Sequence, residues 1–309
     1  MRRVADPKWR RSPTEGAESQ SLRKLVSVVS SKLMQTNIHP TAIVHPTAKV
    51  GNNVAVGPYS IVEANAVLGD DTVIMNHVTI AKRTVLGRSN VVHMGAVLGH
   101  DPQSKLEAKA DSFVQIGDRN EFREYVTVHR GLASGPSTVI GNDSLFMALC
   151  HIAHDCIIGN FVTIANASLL GGHVEIEDHA FLSGIVGVHQ FCRVGCYAMI
   201  GGHTGISRDV PPYMLVDKNE DLIGSINIVG LRRAGFSEAI HRDIKNAYKI
   251  LYRSGLNVSN AVEVITAKCH SKEVAHLVEF VKKSKRGILA HRRGRTPTID
   301  SPMKIGTAY

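Results

Sequence analysis

Residues 152–175 read IAHDCI IGNFVT IANASL LGGHVE, and each group of six opens on an aliphatic residue. An unbroken period of six fits neither an α-helix, which repeats at about 3.6 residues, nor a simple strand, which repeats at about 2. It is typical of a hexapeptide parallel β-helix, in which three hexapeptides form one triangular coil and the aliphatic residue points inward. The sequence therefore predicts a mainly β fold, with small or Asn/Gly residues at the corners of each coil.

The repeat continues in the same phase over most of the chain. Every sixth position is aliphatic or aromatic from Ile38 to Leu98, from Ile116 to Val128 and from Ile140 to Ile206. Residues 99–113 (GHDPQSKLEAKADSF) and 131–138 (GLASGPST) break the pattern. We expect both stretches to be loops that project from the prism, and loops on a rigid scaffold often carry binding residues.

Helical patterns replace the repeat after DVPPY (209–213). Ser237 is a predicted N-cap, and the apolar stripe that follows it ends at Gly255. The predicted organisation has four parts: an N-terminal extension (1–36), the β-helix (37–213), a small α-helical C-terminal domain (214–288) and a disordered basic tail (289–309).

The positive charge of the chain lies at its ends. The net charge is +9, but residues 1–36 carry 8 basic and 3 acidic groups, and residues 282–309 carry 8 basic and 1 acidic group. The β-helix itself is therefore slightly acidic, and no nucleic-acid partner is expected. No apolar run approaches the roughly 20 residues that span a bilayer. The 5 cysteines form no CxxC pair, so neither a disulfide framework nor a zinc ribbon is indicated.

Residues 1–36 resemble an organelle transit peptide. They are rich in arginine and serine, and LRKLVSVVSSKL (22–33) places apolar residues on one helical face. Three acidic residues, Asp6, Glu15 and Glu18, favour the alternative of a basic extension without a targeting role. We expect a mitochondrial location if the segment is a transit peptide and a cytoplasmic one otherwise.

Titratable residues concentrate on one edge of the predicted prism. Residues 18 apart lie above one another in successive coils, so His154, Gly172 and Gln190 form a column. The neighbouring residues are His151, Asp155, His173 and His189. One hypothesis is a zinc hydratase, in which three imidazoles bind the metal. The other is acyl transfer, in which one histidine is a general base, Asp155 orients it and the Gly172 N–H stabilises the oxyanion.

Six motifs resemble those of the UDP-N-acetylglucosamine acyltransferase family. They are IGDRNEFREYVTVHRG (116–131), HIAHDCIIGN (151–160), GVHQFCRVG (187–195), DVPPY (209–213), GLRRAGF (230–236) and KNAYKILYRSG (245–255). The resemblance implies a left-handed parallel β-helix assembled as a homotrimer, with active sites between subunits. It also implies transfer of an (R)-3-hydroxyacyl group from acyl carrier protein to the 3-hydroxyl of UDP-N-acetylglucosamine, the first step of lipid A biosynthesis. No metal and no cofactor are expected.

The resemblance also assigns roles to residues of this chain. It implies that His154 is the general base, that Asp155 orients it and that Gly172 donates the oxyanion N–H. The residues implied to bind substrate are Gln103, His151, His173, His189, Gln190, Gly202, Asn227 and Arg233. Gly202 falls where the acyl chain would end.

Three positions depart from the family pattern. Ser104 replaces an aspartate, Val229 stands where glutamate is common, and Ala234 where a second arginine is common. We expect these changes to weaken or alter selectivity for the nucleotide sugar, since each charge-assisted hydrogen bond contributes about 1.5–3 kcal/mol. They also keep open a third hypothesis, a catalytically silent trimeric scaffold.

Overall fold

In a computed structural model of the chain, successive short strands wind around a triangular prism. The structure describes residues 35–105, 111–132, 134–217 and 222–291. The predicted N-terminal extension and basic tail therefore lie almost wholly outside the described residues. Three parallel sheets form the prism and α-helices follow it, so the predicted fold class of a parallel β-helix with a helical C-terminal domain is confirmed.

Each sheet takes every third strand along the chain, except that the last two strands both join the first sheet and pair with each other antiparallel. The first sheet contains β1 (Asn37–Ile38), β4 (Ala55–Val56), β7 (Val73–Ile74), β10 (Val91–Val92), β13 (Glu121–Phe122), β16 (Leu145–Phe146), β19 (Thr163–Ile164), β22 (Phe181–Leu182), β25 (Met199–Ile200), β27 (Met214–Val216) and β28 (Ile223–Ile226). The second sheet contains β2 (Ile43–Val44), β5 (Ile61–Val62), β8 (Thr79–Ile80), β11 (Val97–His100), β14 (Thr127–His129), β17 (His151–Ile152), β20 (Leu169–Leu170), β23 (Gly187–Val188) and β26 (Gly205–Ile206). The third sheet contains β3 (Lys49–Val50), β6 (Val67–Leu68), β9 (Thr84–Leu86), β12 (Phe113–Ile116), β15 (Pro136–Ile140), β18 (Ile157–Ile158), β21 (Glu175–Ile176) and β24 (Arg193–Val194).

The core of the prism has two inward positions in each hexapeptide. The aliphatic position is buried, and the residue two places before it is a small buried residue such as Ser60, Ala66 or Cys150. The second position explains three of the cysteines, because Cys150, Cys156 and Cys192 all occupy it. Burial raises the pKa of the Cys150 thiol to about 11 and that of Cys156 to about 12, so both stay protonated and inert.

Large side chains, rather than the predicted small ones, occupy the left-handed position of many corners. Phe161, His179 and Tyr197 have φ of 56°, 60° and 54°. Their rings stack on one another, with centroid distances of 4.7 Å and 4.5 Å. Each stacked pair contributes about 0.5–1.5 kcal/mol, which offsets much of the roughly 1–2 kcal/mol that the left-handed conformation costs.

Both predicted loops are present as insertions between coils. Paired residues lie 18 apart in most of the prism, but Val91 pairs with Glu121 and Glu121 with Leu145. The first insertion therefore adds 12 residues and the second adds 6, and both keep the hexapeptide phase. The strands extend into the predicted loops, since β12 begins at Phe113 and β15 at Pro136.

The three edges of the prism differ in chemistry. The polar edge, between the third and first sheets, is an Asn/Asp ladder in which the backbone N–H groups of Asn142 and Asn160 donate to the side chains of Asn160 and Asp178. The apolar edge, between the first and second sheets, exposes Tyr59, Tyr125, Leu149 and Ile185. The histidine edge, between the second and third sheets, carries His154, Gly172 and Gln190.

The C-terminal helices pack on the end of the prism. They are α1 (Ile228–Arg233), α2 (Glu238–Arg253), α3 (Val258–Lys268) and α4 (Lys272–Lys283). Ser237 caps α2 as predicted, since its hydroxyl accepts from the Ile240 N–H, and Gly255 follows the helix with φ of 79°. None of the helices in the described ranges is both long and apolar enough to cross a membrane.

Candidate active site

The predicted base and its orienting acid are adjacent on the histidine edge. His154 and Asp155 form the corner between β17 and β18, and His154 Nδ1 lies 2.7 Å from Asp155 Oδ2. The carboxylate side chain is only 7% exposed, so it accepts from Nδ1–H and has little competition from water. This tautomer leaves the lone pair on Nε2, which can then accept a proton from a substrate.

The second insertion holds the Asp155 carboxylate in place. The Leu132 N–H donates to Asp155 Oδ2 at 3.0 Å, and the Asp155 N–H donates to the buried Thr138 hydroxyl at 2.9 Å. A Cβ on Gly131 would lie 2.5 Å from Asp155 Oδ1, so only glycine fits there. The hexapeptide register does not predict these three residues, because it does not follow the path of an insertion.

Gly172 lies against the reactive side of the imidazole. A Cβ added to Gly172 would lie 2.5 Å from His154 Cε1 and 2.8 Å from Nε2. In the described parts of the chain, no protein group accepts a hydrogen bond from the Gly172 N–H. A free backbone donor beside a basic nitrogen is the arrangement that stabilises a developing oxyanion.

A groove of about 660 Å³ runs from this corner across the second sheet. It brings together most of the predicted site residues: Gln103, His151, His154, Gly172, His189 and Gln190. Two of three stacked positions in its floor are glycines, because Leu169 pairs with Gly187 and Gly187 with Gly205. The groove can therefore hold an extended, partly apolar ligand that ends at His154.

Arg130 anchors the insertion that brings Gln103 to the groove. Its side chain is largely buried, donates to Asp101 with an Nε–Oδ1 distance of 2.8 Å and also contacts the Ser112 hydroxyl. The hydrogen bond from Arg130 holds the pKa of Asp101 below its ordinary value. Since Asp101 and Ser112 stand at the two ends of the insertion, one guanidinium ties both ends to the prism.

His151, which lines the groove, and His129, which packs against His151, are neutral imidazoles. His151 Nδ1 lies 2.8 Å from the Thr127 hydroxyl, and His129 meets the His151 ring edge-on at 5.0 Å between centroids. Burial, together with His151, lowers the pKa of His129 to about 4. Burial and His154 lower the pKa of His151 as well. At neutral pH neither ring adds positive charge beside His154.

His173 lies next to the base but belongs to a different set of contacts. Its ring stacks on Phe191 at 4.6 Å and meets His154 edge-on at 5.3 Å, and its Nε2 lies 3.7 Å from Asp155 Oδ2. Potential ligand atoms of His154, Asp155 and His173 lie within 4.8 Å of one another. The zinc hypothesis expected three converging imidazoles, whereas this group has two imidazoles and a carboxylate that already accepts two hydrogen bonds.

The remaining predicted residues lie elsewhere on the chain. Gly202 stands on the apolar edge, one corner away from the histidine edge. Asn227 and Arg233 line a second cavity, of about 760 Å³, between the first sheet and α1. Val229 and Ala234 line the same cavity, so two of the departures from the family pattern sit beside Arg233. One chain does not bring these residues to His154.

Comparison with protein families matches both parts of the chain. Residues 137–172 match the model described as bacterial transferase hexapeptide (six repeats). Residues 209–289 match the model described as Udp N-acetylglucosamine O-acyltransferase, Domain 2. The chain is also 45% identical over 256 residues to an acyl-[acyl-carrier-protein]–UDP-N-acetylglucosamine O-acyltransferase from Halorhodospira halophila, covering 82% of this chain and 99% of that protein. The chain belongs to the UDP-N-acetylglucosamine acyltransferase family.

Solved structures of family members share its fold. The enzyme from Bacteroides fragilis has a TM-score of 0.79 at 40% identity, covering 81% of this chain and 99% of that chain. The Arabidopsis enzyme has a TM-score of 0.73 at 32% identity, covering 82% and 99%. The resemblance found in the six motifs is thereby confirmed, and the chain is an acyltransferase. Nothing in these comparisons favours the zinc hydratase or the silent scaffold.

Proposed function

We propose that this acyltransferase moves an (R)-3-hydroxyacyl group from acyl carrier protein to the 3-hydroxyl of UDP-N-acetylglucosamine, which is the first step of lipid A biosynthesis. The observation that carries the proposal is the arrangement of His154 between Asp155 and Gly172 at the end of an open groove. The names of the relatives from Halorhodospira and Bacteroides support the choice of substrates.

The residues suggest the following sequence of proton transfers. His154 Nε2 removes the proton from the sugar hydroxyl as its oxygen attacks the thioester carbonyl. The Gly172 N–H stabilises the negative charge on the former carbonyl oxygen, and the Asp155 carboxylate stabilises the imidazolium. When the C–S bond breaks, His154 returns the proton to the departing thiolate. The products are the O-acylated sugar and the carrier thiol, and His154 is neutral again.

Measurement of O-acylated product for wild type and His154→Ala tests this proposal. Loss of a general base lowers turnover by about 10²–10⁴-fold. The matched control is His45→Ala, since His45 lies at a corner of the histidine edge near the start of the prism and its ring hydrogen-bonds with Thr47. We expect the control to retain wild-type turnover. Equal turnover in His154→Ala and wild type would contradict the proposal.

We also propose that the enzyme is a homotrimer whose active sites lie between subunits. Leu149 and Ile185 are 58% and 54% exposed on the apolar edge, and Ile185 is a β-branched residue with φ of 59°. Neither solubility nor backbone conformation favours isoleucine there, so packing against another chain supplies the reason. Light scattering should give a mass of three 33.5 kDa chains, and Leu149→Asp should reduce it.

The second cavity is proposed to bind the nucleotide end of a substrate held by the neighbouring subunit. Because Val229 and Ala234 lack charges, we expect weakened or altered selectivity for the nucleotide sugar, and Ser104 should add to this effect. The double variant Val229→Glu, Ala234→Arg should bind UDP-N-acetylglucosamine more tightly than wild type in a calorimetric titration. Unchanged affinity would contradict this part of the proposal.

For the N-terminal extension, residues 1–36, we propose mitochondrial targeting. The arginine and serine content and the apolar face of residues 22–33 support it. A fluorescent protein fused to residues 1–36 should enter mitochondria. Replacement of Arg2, Arg3, Arg10 and Arg11 by glutamate, which reverses their charge, should abolish entry. Diffuse fluorescence of the unmodified fusion would instead favour the cytoplasm.

A further inference from the structure

Three side chains with different donor atoms meet where the prism contacts the helical domain. Glu177 follows β21, Cys196 lies on the corner after β24, and His276 lies on α4. Their potential ligand atoms all lie within 4.8 Å of one another. None of the three lines the groove at His154 or the cavity at Arg233. The cluster is therefore separate from both proposed substrate regions.

The donors match one kind of metal ion. A thiolate sulfur, an imidazole nitrogen and a carboxylate oxygen are the three ligand types of zinc sites, and sites with three protein ligands complete a tetrahedron with water. The Glu177 carboxylate already forms hydrogen bonds with both of the other residues. Its Oε2 lies 2.8 Å from His276 Nε2 and accepts from the Cys196 N–H at 2.9 Å.

The surroundings of the cluster carry negative charge. Glu273, which is buried in the first turn of α4, and Asp178 stand near the cluster on opposite sides of the domain junction. One cation, Arg193, also approaches the cluster, with its Nη2 3.7 Å from Glu177 Oε1. The main contacts of the Arg193 guanidinium are with Glu175 and the Phe280 ring. Its contact with Glu177 is to Oε1, whereas His276 contacts Oε2.

The Cys196 thiol is not free to act as a nucleophile. Burial raises its pKa to about 12, and the Tyr213 hydroxyl forms a hydrogen bond with it. The thiol therefore stays protonated at neutral pH in the absence of metal. A metal ligated by sulfur would displace that proton, as it does at other cysteine sites.

We propose that Glu177, Cys196 and His276 bind one zinc ion, which links the β-helix to the C-terminal helical domain. Two of the ligands come from neighbouring coils of the prism and the third comes from α4, so metal binding fixes the position of that helix. The role is structural, since the ion would lie outside the groove in which the acyl transfer is proposed. Binding only to the folded chain stabilises it.

Cobalt(II) substitution tests the proposed site. The metal-free full chain should bind one Co²⁺ with a thiolate-to-metal absorption in the near ultraviolet, and Zn²⁺ should abolish that absorption. Cys196→Ser should lose the band, and His276→Gln should weaken binding at least about 10-fold. Cys269→Ser controls for adventitious thiols, and His173→Gln controls for the cluster at His154, which has no sulfur. Both controls should keep the band.

Thermal unfolding gives a second readout. Zn²⁺ should raise the melting temperature of the metal-free wild type and of Cys269→Ser, but not that of Cys196→Ser or His276→Gln. A chelator should lower the wild-type value to that of Cys196→Ser. A Co²⁺ band of equal strength in Cys196→Ser and wild type, or no band in wild type, would overturn the proposal.

Discussion

Gly172 lies so close to His154 that even a methyl side chain at position 172 should disturb the active site. In Gly172→Ala the new methyl group would lie 2.5 Å from His154 Cε1, so the imidazole must turn away from its position. We expect kcat to fall about 10²-fold, because a donor and a base displaced by about 1 Å lose their alignment. Steady-state kinetics with saturating acyl donor measures the effect.

Gly187→Ala provides the control for Gly172→Ala. Gly187 lies on the floor of the same groove, but a Cβ there would meet nothing within 4 Å. We expect this variant to change KM for the acyl donor more than kcat. An equal fall of kcat in both variants would mean that crowding of the substrate, and not displacement of His154, causes the loss.

His129 gives the stability of the protein a defined pH dependence. Its Nδ1 finds no hydrogen-bond partner within the described residues, and its pKa is lowered to about 4 from 6.5. Between these values the unfolded chain binds a proton that the folded chain does not, so stability falls as pH falls from about 6.5 to 4. The shift corresponds to about 3 kcal/mol.

Urea unfolding of wild type and His129→Phe at pH 7, 5.5 and 4.5 measures this contribution. The phenyl ring keeps the buried shape and removes the titrating group. We expect the variant to lose less stability than wild type over this interval. If the two proteins lose stability in parallel, the charge on His129 is not the cause.

The sequence predicted the reactive residues because they obey the repeat. Spacing by 18 residues placed His154, Gly172 and Gln190 in one column, and they line one groove in the structure. The residues that hold the base in position were not predicted. Gly131, Leu132 and Thr138, which contact Asp155, belong to the second insertion, and there the path of the chain depends on contacts that no period encodes.

The second insertion fixes the position of the Asp155 carboxylate. In Gly131→Ala the added Cβ would lie 1.9 Å from Ser137 Oγ and 2.5 Å from Asp155 Oδ1. The insertion must then move, and the Leu132 N–H would move away from the carboxylate. We expect kcat to fall about 10-fold with little change of KM, since the change removes one charge-assisted hydrogen bond worth about 1.5–3 kcal/mol.

Gly135→Asn tests whether any change in the same insertion has this effect. A Cβ at Gly135 would meet nothing within 4 Å, and asparagine tolerates its φ of 80°. We expect the control to keep the wild-type kcat. A similar loss in both variants would show that the mobility of the insertion, and not the contact with Asp155, determines the rate.

The predicted sheets and the observed ones agree because both insertions keep the phase of six. Had either insertion added a number of residues that is not a multiple of six, the core positions after it would be out of phase with those before it. The corners were predicted less well. The left-handed position requires a backbone conformation that glycine or asparagine adopts most easily, yet stacking between coils stabilises Phe161, His179 and Tyr197 there.

The three edges of the prism have different roles. The Asn/Asp ladder of the polar edge satisfies its own backbone donors and suits solvent. The apolar edge exposes the side chains that the proposed trimer would bury, and the histidine edge holds the base. The predicted substrate residues are divided in the same way, since His154 and Arg233 lie at different faces of one chain. A site completed by a second subunit accounts for both observations.

Mixed trimers test the shared site directly. His154→Ala and Arg233→Ala chains, each of low activity, are unfolded, combined in equal amounts and refolded. If each site takes His154 from one chain and Arg233 from its neighbour, random assembly leaves about a quarter of the sites intact, and about a quarter of wild-type activity returns. A mixture of His154→Ala with Asp155→Ala should stay inactive, because these residues adjoin on one chain. If neither mixture regained activity, each chain would hold a complete site and the proposed arrangement between subunits would be wrong.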